Sequence, residues 1–134
     1  MSITKHPYSI LDKRRKRLGM SRAILAMRSQ VSQPTVTRIL TGKESAPRLP
    51  NVQAIAAALG VSLIIGANLR VEEDLDVNEF RRRQALKKAR RLNSMIQGTM
   101  GLESQAVDAH TLDEMLNRTV KDLLVGSRRR LWEE

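Results

Sequence analysis

The first sixty or so residues carry stop and start signals so often that only short helices fit between them. Gly19 sits where a helix end takes positive φ. Ser21 and Ser32 are N-cap residues eleven positions apart, and Pro34 falls in a first helical turn, where its missing N–H costs nothing. Thr41-Gly42-Lys43 stops the next segment, Pro47, Pro50 and Asn51 mark a loop, and Gly60 closes the last one. The pattern predicts a first helix over Ser9 to Arg17, with Ile10, Leu11 and Leu18 inward and Lys13, Arg14, Arg15, Lys16 and Arg17 outward. A second helix follows Ser21, a third follows Ser32, and a fourth carries Val52, Ile55, Ala56 and Leu59 on one face. Ala26 is small where the second and third helices cross. Val36 and Ile39 turn one face of the third helix inward, leaving Gln33, Thr35, Thr37 and Arg38 on the other.

Composition narrows what such a chain does. One Trp, one Tyr and one Phe in 134 residues leave an aliphatic core, which favours a mainly α fold. The absence of Cys excludes disulfides and thiolate metal sites. No stretch approaches the ~18 apolar residues of a membrane span, and the start has no apolar signal region, so a cytoplasmic protein without a membrane partner is expected. The net charge of +10 is asymmetric: residues 1–70 hold twelve Lys/Arg against two acids, Asp12 and Glu44, while the remainder is neutral. Such a footprint points to a polyanion, most often nucleic acid. The plainer alternative is a solvated basic surface.

The order of these segments resembles the helix-turn-helix domain of the Xre family, which includes the lambdoid phage repressors. The resemblance covers roughly Ser9 to Leu63. It rests on Leu18-Gly19-Met20-Ser21, on Ala23, Leu25 and Ala26, and on the run Ser32-Gln33-Pro34-Thr35-Val36-Thr37-Arg38-Ile39. Thr41-Gly42-Lys43 and Ala58-Leu59-Gly60-Val61-Ser62 complete it. The resemblance implies a third helix that enters the major groove, with Gln33, Thr35, Thr37 and Arg38 reading bases. Gln suits adenine, Arg suits guanine, and a Thr methyl suits the thymine methyl. It also implies phosphate contacts from Ser21, Arg22, Ser32, Thr41, Lys43 and Arg48. The chain departs from the family pattern at several positions. Gln30 stands where the turn usually has Gly, Ser29 stands where an apolar residue is usual, and Pro34 replaces a polar residue. Ile24 is apolar at a position that normally faces solvent.

Beyond Gly60 the pattern becomes β-like. Residues 62–71 alternate Leu63, Ile65, Ala67 and Leu69 onto one face. With no second convincing strand, the expected partner is the same strand of a second copy, an arrangement similar to HipB-type antitoxins; the alternative is a fifth short helix. Either way a two-fold dimer is expected, with reading helices ~34 Å apart on a palindromic operator. Glu72 to Asn78 lacks the Gly and terminal Glu of a calcium loop and reads as an acidic linker. A basic helix over Glu79 to Gln97 carries the stripe Ala85, Ala89, Leu92 and Ile96 and is ended by Gly98 and Gly101. Its basic face is either solvated or a second phosphate surface. After a short segment around Glu103 to Asp108, Thr111-Leu112-Asp113-Glu114 reads as a capping box. It opens a helix whose apolar face is Leu112, Met115, Leu116, Val120, Leu123 and Leu124, stopped by Gly126; Trp132 near the end is exposed unless something covers it.

No catalytic or cofactor motif is present, and His6 and His110 each stand alone in sequence, so an enzyme is not expected. The fold expected is mainly α: a five-helix-type helix-turn-helix domain at 1–61, a short dimerising strand with acidic linker at 62–78, and a small C-terminal helical region at 79–134. The function expected is a dimeric DNA-binding autorepressor. It would act as the antitoxin of a toxin–antitoxin operon, in keeping with the resemblance to HipB- and HigA-type antitoxins, with a co-encoded toxin as partner. The alternatives are a stand-alone phage-type repressor and a non-specific, nucleoid-type DNA binder.

Overall fold

The computed structural model describes residues 6–67, 69–100 and 109–133. In chain order they form α1 (Ser9–Leu18), α2 (Arg22–Ser29), α3 (Gln33–Leu40), α4 (Leu49–Ala58), β1 (Val61–Ile65), β2 (Leu69–Glu73), α5 (Val77–Met100), α6 (Ala109–Val125) and α7 (Arg128–Trp132). The chain divides into two compact units, Met1–Val77 and Asn78–Glu134. The mainly helical class, the helix-turn-helix helices, strand structure directly after them and the C-terminal helices are as expected.

The stop and start signals act where the sequence places them. Gly19 takes left-handed geometry at the end of α1, with φ 72°, and the Met20 N–H reaches back 3.1 Å to the Arg15 carbonyl. Ser21 Oγ accepts the Ile24 N–H, capping α2. Gln30 takes the left-handed conformation that Gly usually supplies, with φ 59°. The neighbouring departure is absorbed too: the buried Ser29 hydroxyl donates to the Leu25 carbonyl at 2.7 Å. Leu11, Leu18, Leu25, Val36, Ile39, Leu40, Val52, Ile55 and Leu59 close the core. Ile24 belongs to that core as well rather than to the solvent face, whereas Ile10, expected inward, is exposed.

Arg14 departs furthest from expectation. The helical pattern puts it among five outward cations, yet it is 2% exposed. Its Nε donates to the Leu59 carbonyl at 2.9 Å, at the C-terminus of α4, where the last carbonyls lack helical partners. Its Nη2 donates to the Leu75 carbonyl at 2.7 Å, and Nη1 lies 3.2 Å from Glu73 Oε1 as an ion pair without hydrogen-bond geometry. A buried cation is tolerated only when its charge and donors are matched in this way. One side chain therefore ties α1 to the end of α4, to β2 and to the segment after it. Arg17 reaches the same Glu73 oxygen at 3.5 Å from a more exposed position.

The lone strand expected over residues 62–71 is instead a hairpin within the chain. β1 and β2 pair antiparallel, Val61 opposite Glu73 and Ile65 opposite Leu69. Gly66 interrupts the run between the two strands, and a glycine weakens a strand interior. The fifth-helix alternative is likewise not adopted. Val61 is buried, Leu63 half-buried and Ile65 exposed, so the predicted single apolar face fades along β1. Glu72 and Glu73, expected in a linker, lie on β2, and Asp74 accepts the Ser62 hydroxyl at 2.6 Å.

In the second unit α5 buries Ala85 and Ala89 as expected, and Leu92 is exposed. Gly98 lies within α5 rather than ending it; Gly101 and the segment 103–108 lie outside the described residues. Thr111 is not a cap, because α6 begins at Ala109. Trp132 is 1% exposed and stacks on Phe80, with ring centroids 5.4 Å apart. The basic face of α5 has partners of its own. Arg81 Nη2 donates to the Leu124 carbonyl at 3.0 Å and Gln84 Nε2 to the Leu131 carbonyl at 3.1 Å. Lys88 Nζ donates to the carbonyls of Arg130 and Glu133. These acceptors are the orphaned carbonyls at the ends of α6 and α7, where positive charge is favoured. Arg82 and Arg83 pair with Glu79.

Replacing Arg14 with Ala is expected to cost about 3 kcal/mol, because buried acceptors lose their donors. The thermal midpoint of the N-terminal unit should fall by roughly 12 °C or more. Arg14→Lys should not restore it, since one ammonium does not span three acceptors. Gln30→Gly should instead raise stability by about 0.5–1 kcal/mol in urea unfolding, the relief of left-handed strain exceeding the chain entropy that glycine adds.

Candidate nucleic-acid interface

α3 is defined by its cap and by what it buries. Ser32 Oγ accepts the Thr35 N–H, Pro34 sits in the first turn, and Val36, Ile39 and Leu40 are turned into the core. At about 100° per residue, the opposite face is centred on Pro34 and Arg38. Gln33 lies exposed at the N-terminal end, with Thr35 and Thr37 half-buried on the flanks. The four expected base readers are therefore not equivalent: Arg38 stands on that face, Thr35 and Thr37 flank it, and Gln33 is exposed in the first turn.

A line of polar contacts runs along this face. The Ser32 hydroxyl donates to Thr35 Oγ1 at 2.8 Å, and Arg38 Nη2 donates to the same Thr35 oxygen at 3.3 Å. Arg38 Nε lies 3.6 Å from Glu44 Oε2. Beneath it, the Lys43 and Glu44 N–H groups both donate to the Arg38 carbonyl, at 2.9 and 3.2 Å. A groove of about 340 Å³ lies alongside, lined among others by Thr35, Arg38, Glu44, Pro47, Arg48 and Asn51.

The expected phosphate contacts divide by what their donors already do. The Thr41 hydroxyl donates to the Thr37 carbonyl at 2.7 Å and Ser32 to Thr35, so both protons are used inside the fold. Ser21 Oγ accepts from Ile24 and keeps its own proton to give. Lys43 and Arg48 are exposed, while Arg22 is half-buried with an Nε that has no hydrogen-bond partner among the described residues.

The cationic run on α1 contributes less than its charge suggests. Arg14 is buried, Arg15 is held by Asp12 at 2.9 Å and donates to the Met20 carbonyl, and Lys16 also pairs with Asp12. Lys43 and Arg48, by contrast, are exposed beyond the end of α3. Sequence reasoning missed Glu44 and Asn51. The available signal was that Glu44 is one of only two acids in the basic half, the other being committed to Arg15 and Lys16.

A family model described as Helix-turn-helix matches residues 11–65, from within α1 to the end of β1. That stretch is a helix-turn-helix domain. The match is to this domain alone, and it agrees with the resemblance read from the sequence. Comparison with curated proteins and with solved structures gives no match. Among the described residues, no helix is long and apolar enough to cross a membrane.

The exit of α3 requires a glycine. Gly42 has φ 75°, and a Cβ there would lie 2.6 Å from the His6 ring. Gly42→Ala is expected to destabilise the domain by more than about 1 kcal/mol in denaturant unfolding.

Proposed function

We propose that the protein is a sequence-specific transcriptional regulator that binds operator DNA as a homodimer, with α3 in the major groove. The reading is carried by the outward face of α3, where a supported arginine stands at the centre of a helix-turn-helix. Arg38 and Gln33 read base edges, Thr35 and Thr37 add methyl contacts, and Ser21, Arg22, Lys43 and Arg48 hold phosphates. Ser32 and Thr41 serve the helix ends and support binding indirectly. Lys87 and Arg90 on α5 are exposed and suit a solvated face better than a second phosphate surface, because their neighbours are spent on helix ends.

A second reading, compatible with the first, is an antitoxin that represses its own operon. Its support lies in the C-terminal unit, where Leu92, Met95 and Met115 are exposed and Leu123 is the one residue of the expected α6 apolar face that is buried. Such faces are normally covered by a second copy or a partner. Co-purification with the neighbouring gene product separates the two.

The test is a titration of DNA from the protein's own upstream region against scrambled DNA of equal length, at two salt concentrations. A preference of ~10³ or more that survives higher salt is expected. Equal affinities that collapse together would leave only a non-specific polyanion binder. Arg38→Ala should cost about 1–3 kcal/mol and relax preference at one base pair, whereas Lys43→Ala should weaken all DNA alike and lower the salt slope by about 1.

A further inference from the structure

We infer that Glu44 is a specificity-determining residue, acting on DNA through Arg38; the inference rests on the DNA-reading role proposed above. A carboxylate is out of place on a surface that approaches phosphates, because it opposes the charge that drives binding. Glu44 is nevertheless fixed there. Its backbone N–H donates to the Arg38 carbonyl at 3.2 Å, so its side chain leaves the main chain directly beside that residue, and its Oε2 lies 3.6 Å from Arg38 Nε. The other acid of the basic half, Asp12, is enclosed by Arg15 and Lys16. Glu44 has no such role in folding, as its side chain is 34% exposed and faces the groove beside α3.

Two consequences follow from this placement. Glu44 lies on the Nε side and Thr35 accepts from Nη2, leaving Nη1 and the second Nη2 proton with no partner among the described residues. Those donors match the two acceptors, O6 and N7, of a guanine. Ordering a flexible side chain before binding removes part of the entropy otherwise lost on contact. The carboxylate also opposes phosphates on any DNA and so lowers both affinities alike, whereas only the operator complex gains a pre-aimed arginine.

The experiment measures operator and scrambled-DNA affinities for the wild type, Glu44→Gln, Glu44→Ala, Arg38→Ala and the Arg38→Ala/Glu44→Ala double variant, with thermal unfolding to confirm folding. Both Glu44 variants should bind scrambled DNA more tightly. Glu44→Ala should lower the operator preference about tenfold, and Glu44→Gln, which keeps an oxygen for Arg38 Nε, should fall between it and the wild type. In the Arg38→Ala background, removing Glu44 should leave the preference unchanged within about twofold. Equal gains on both DNAs for Glu44→Ala would show a plain charge effect and overturn the inference, as would the same loss of preference without Arg38. A wild type with no preference of its own would overturn the DNA-reading role and the inference with it, and is recognised before any variant is compared.

Discussion

Arg14 is the interaction on which the N-terminal domain depends. A guanidinium almost fully removed from water is costly unless each face meets an acceptor. Here the acceptors come from Leu59, Glu73 and Leu75, far away in sequence. The arginine therefore sits only where the end of α4, the second strand and the following segment have all arrived. The aliphatic core could close the four helices in related ways, but the planar fork of Arg14 selects one arrangement. It also relieves a carbonyl at the end of α4 that has no helical partner.

The same economy governs the surface of α3. Short helices spend much of their polar chemistry on their own ends, so Ser32 and Thr41 are occupied before DNA arrives. What remains available is a small set: an arginine held between a threonine and a glutamate, an exposed glutamine, and cations near the helix exit. The basic excess of the first seventy residues is thus partly structural and partly available to a polyanion. Net charge alone does not divide the two.

In the C-terminal unit, side-chain donors again end helices. Arg81, Gln84 and Lys88 follow one face of α5 and supply donors to the carbonyl ends of α6 and α7. The short α7 is held further by Trp132 against Phe80. This gives a small helical unit with few aromatics a way to fasten a terminal turn that would not be stable as an isolated helix.

The sequence by itself determined the helix-turn-helix, because caps, glycines and prolines act within one turn of the chain. Ser21, Ser32, Pro34, Gly19 and Gly42 do their work on neighbouring N–H and carbonyl groups, and Gln30 does so despite its side chain. The inward face of α3, and hence the outward surface with Gln33 and Arg38, followed from helical periodicity. Only the tertiary structure decided what depends on distant partners. Arg14 looked like one more surface cation because its acceptors lie some 45–61 residues away. The run is interrupted at Gly66, but its second arm was fixed by Glu73 meeting Arg14 and Asp74 meeting Ser62, partners no local pattern displays. Trp132 was covered by a ring from the start of α5, and Glu44 met Arg38 only when the chain turned over the end of α3. Local geometry is written in neighbouring residues, whereas the matching of buried charge and of helix ends is written in pairs that only folding brings together.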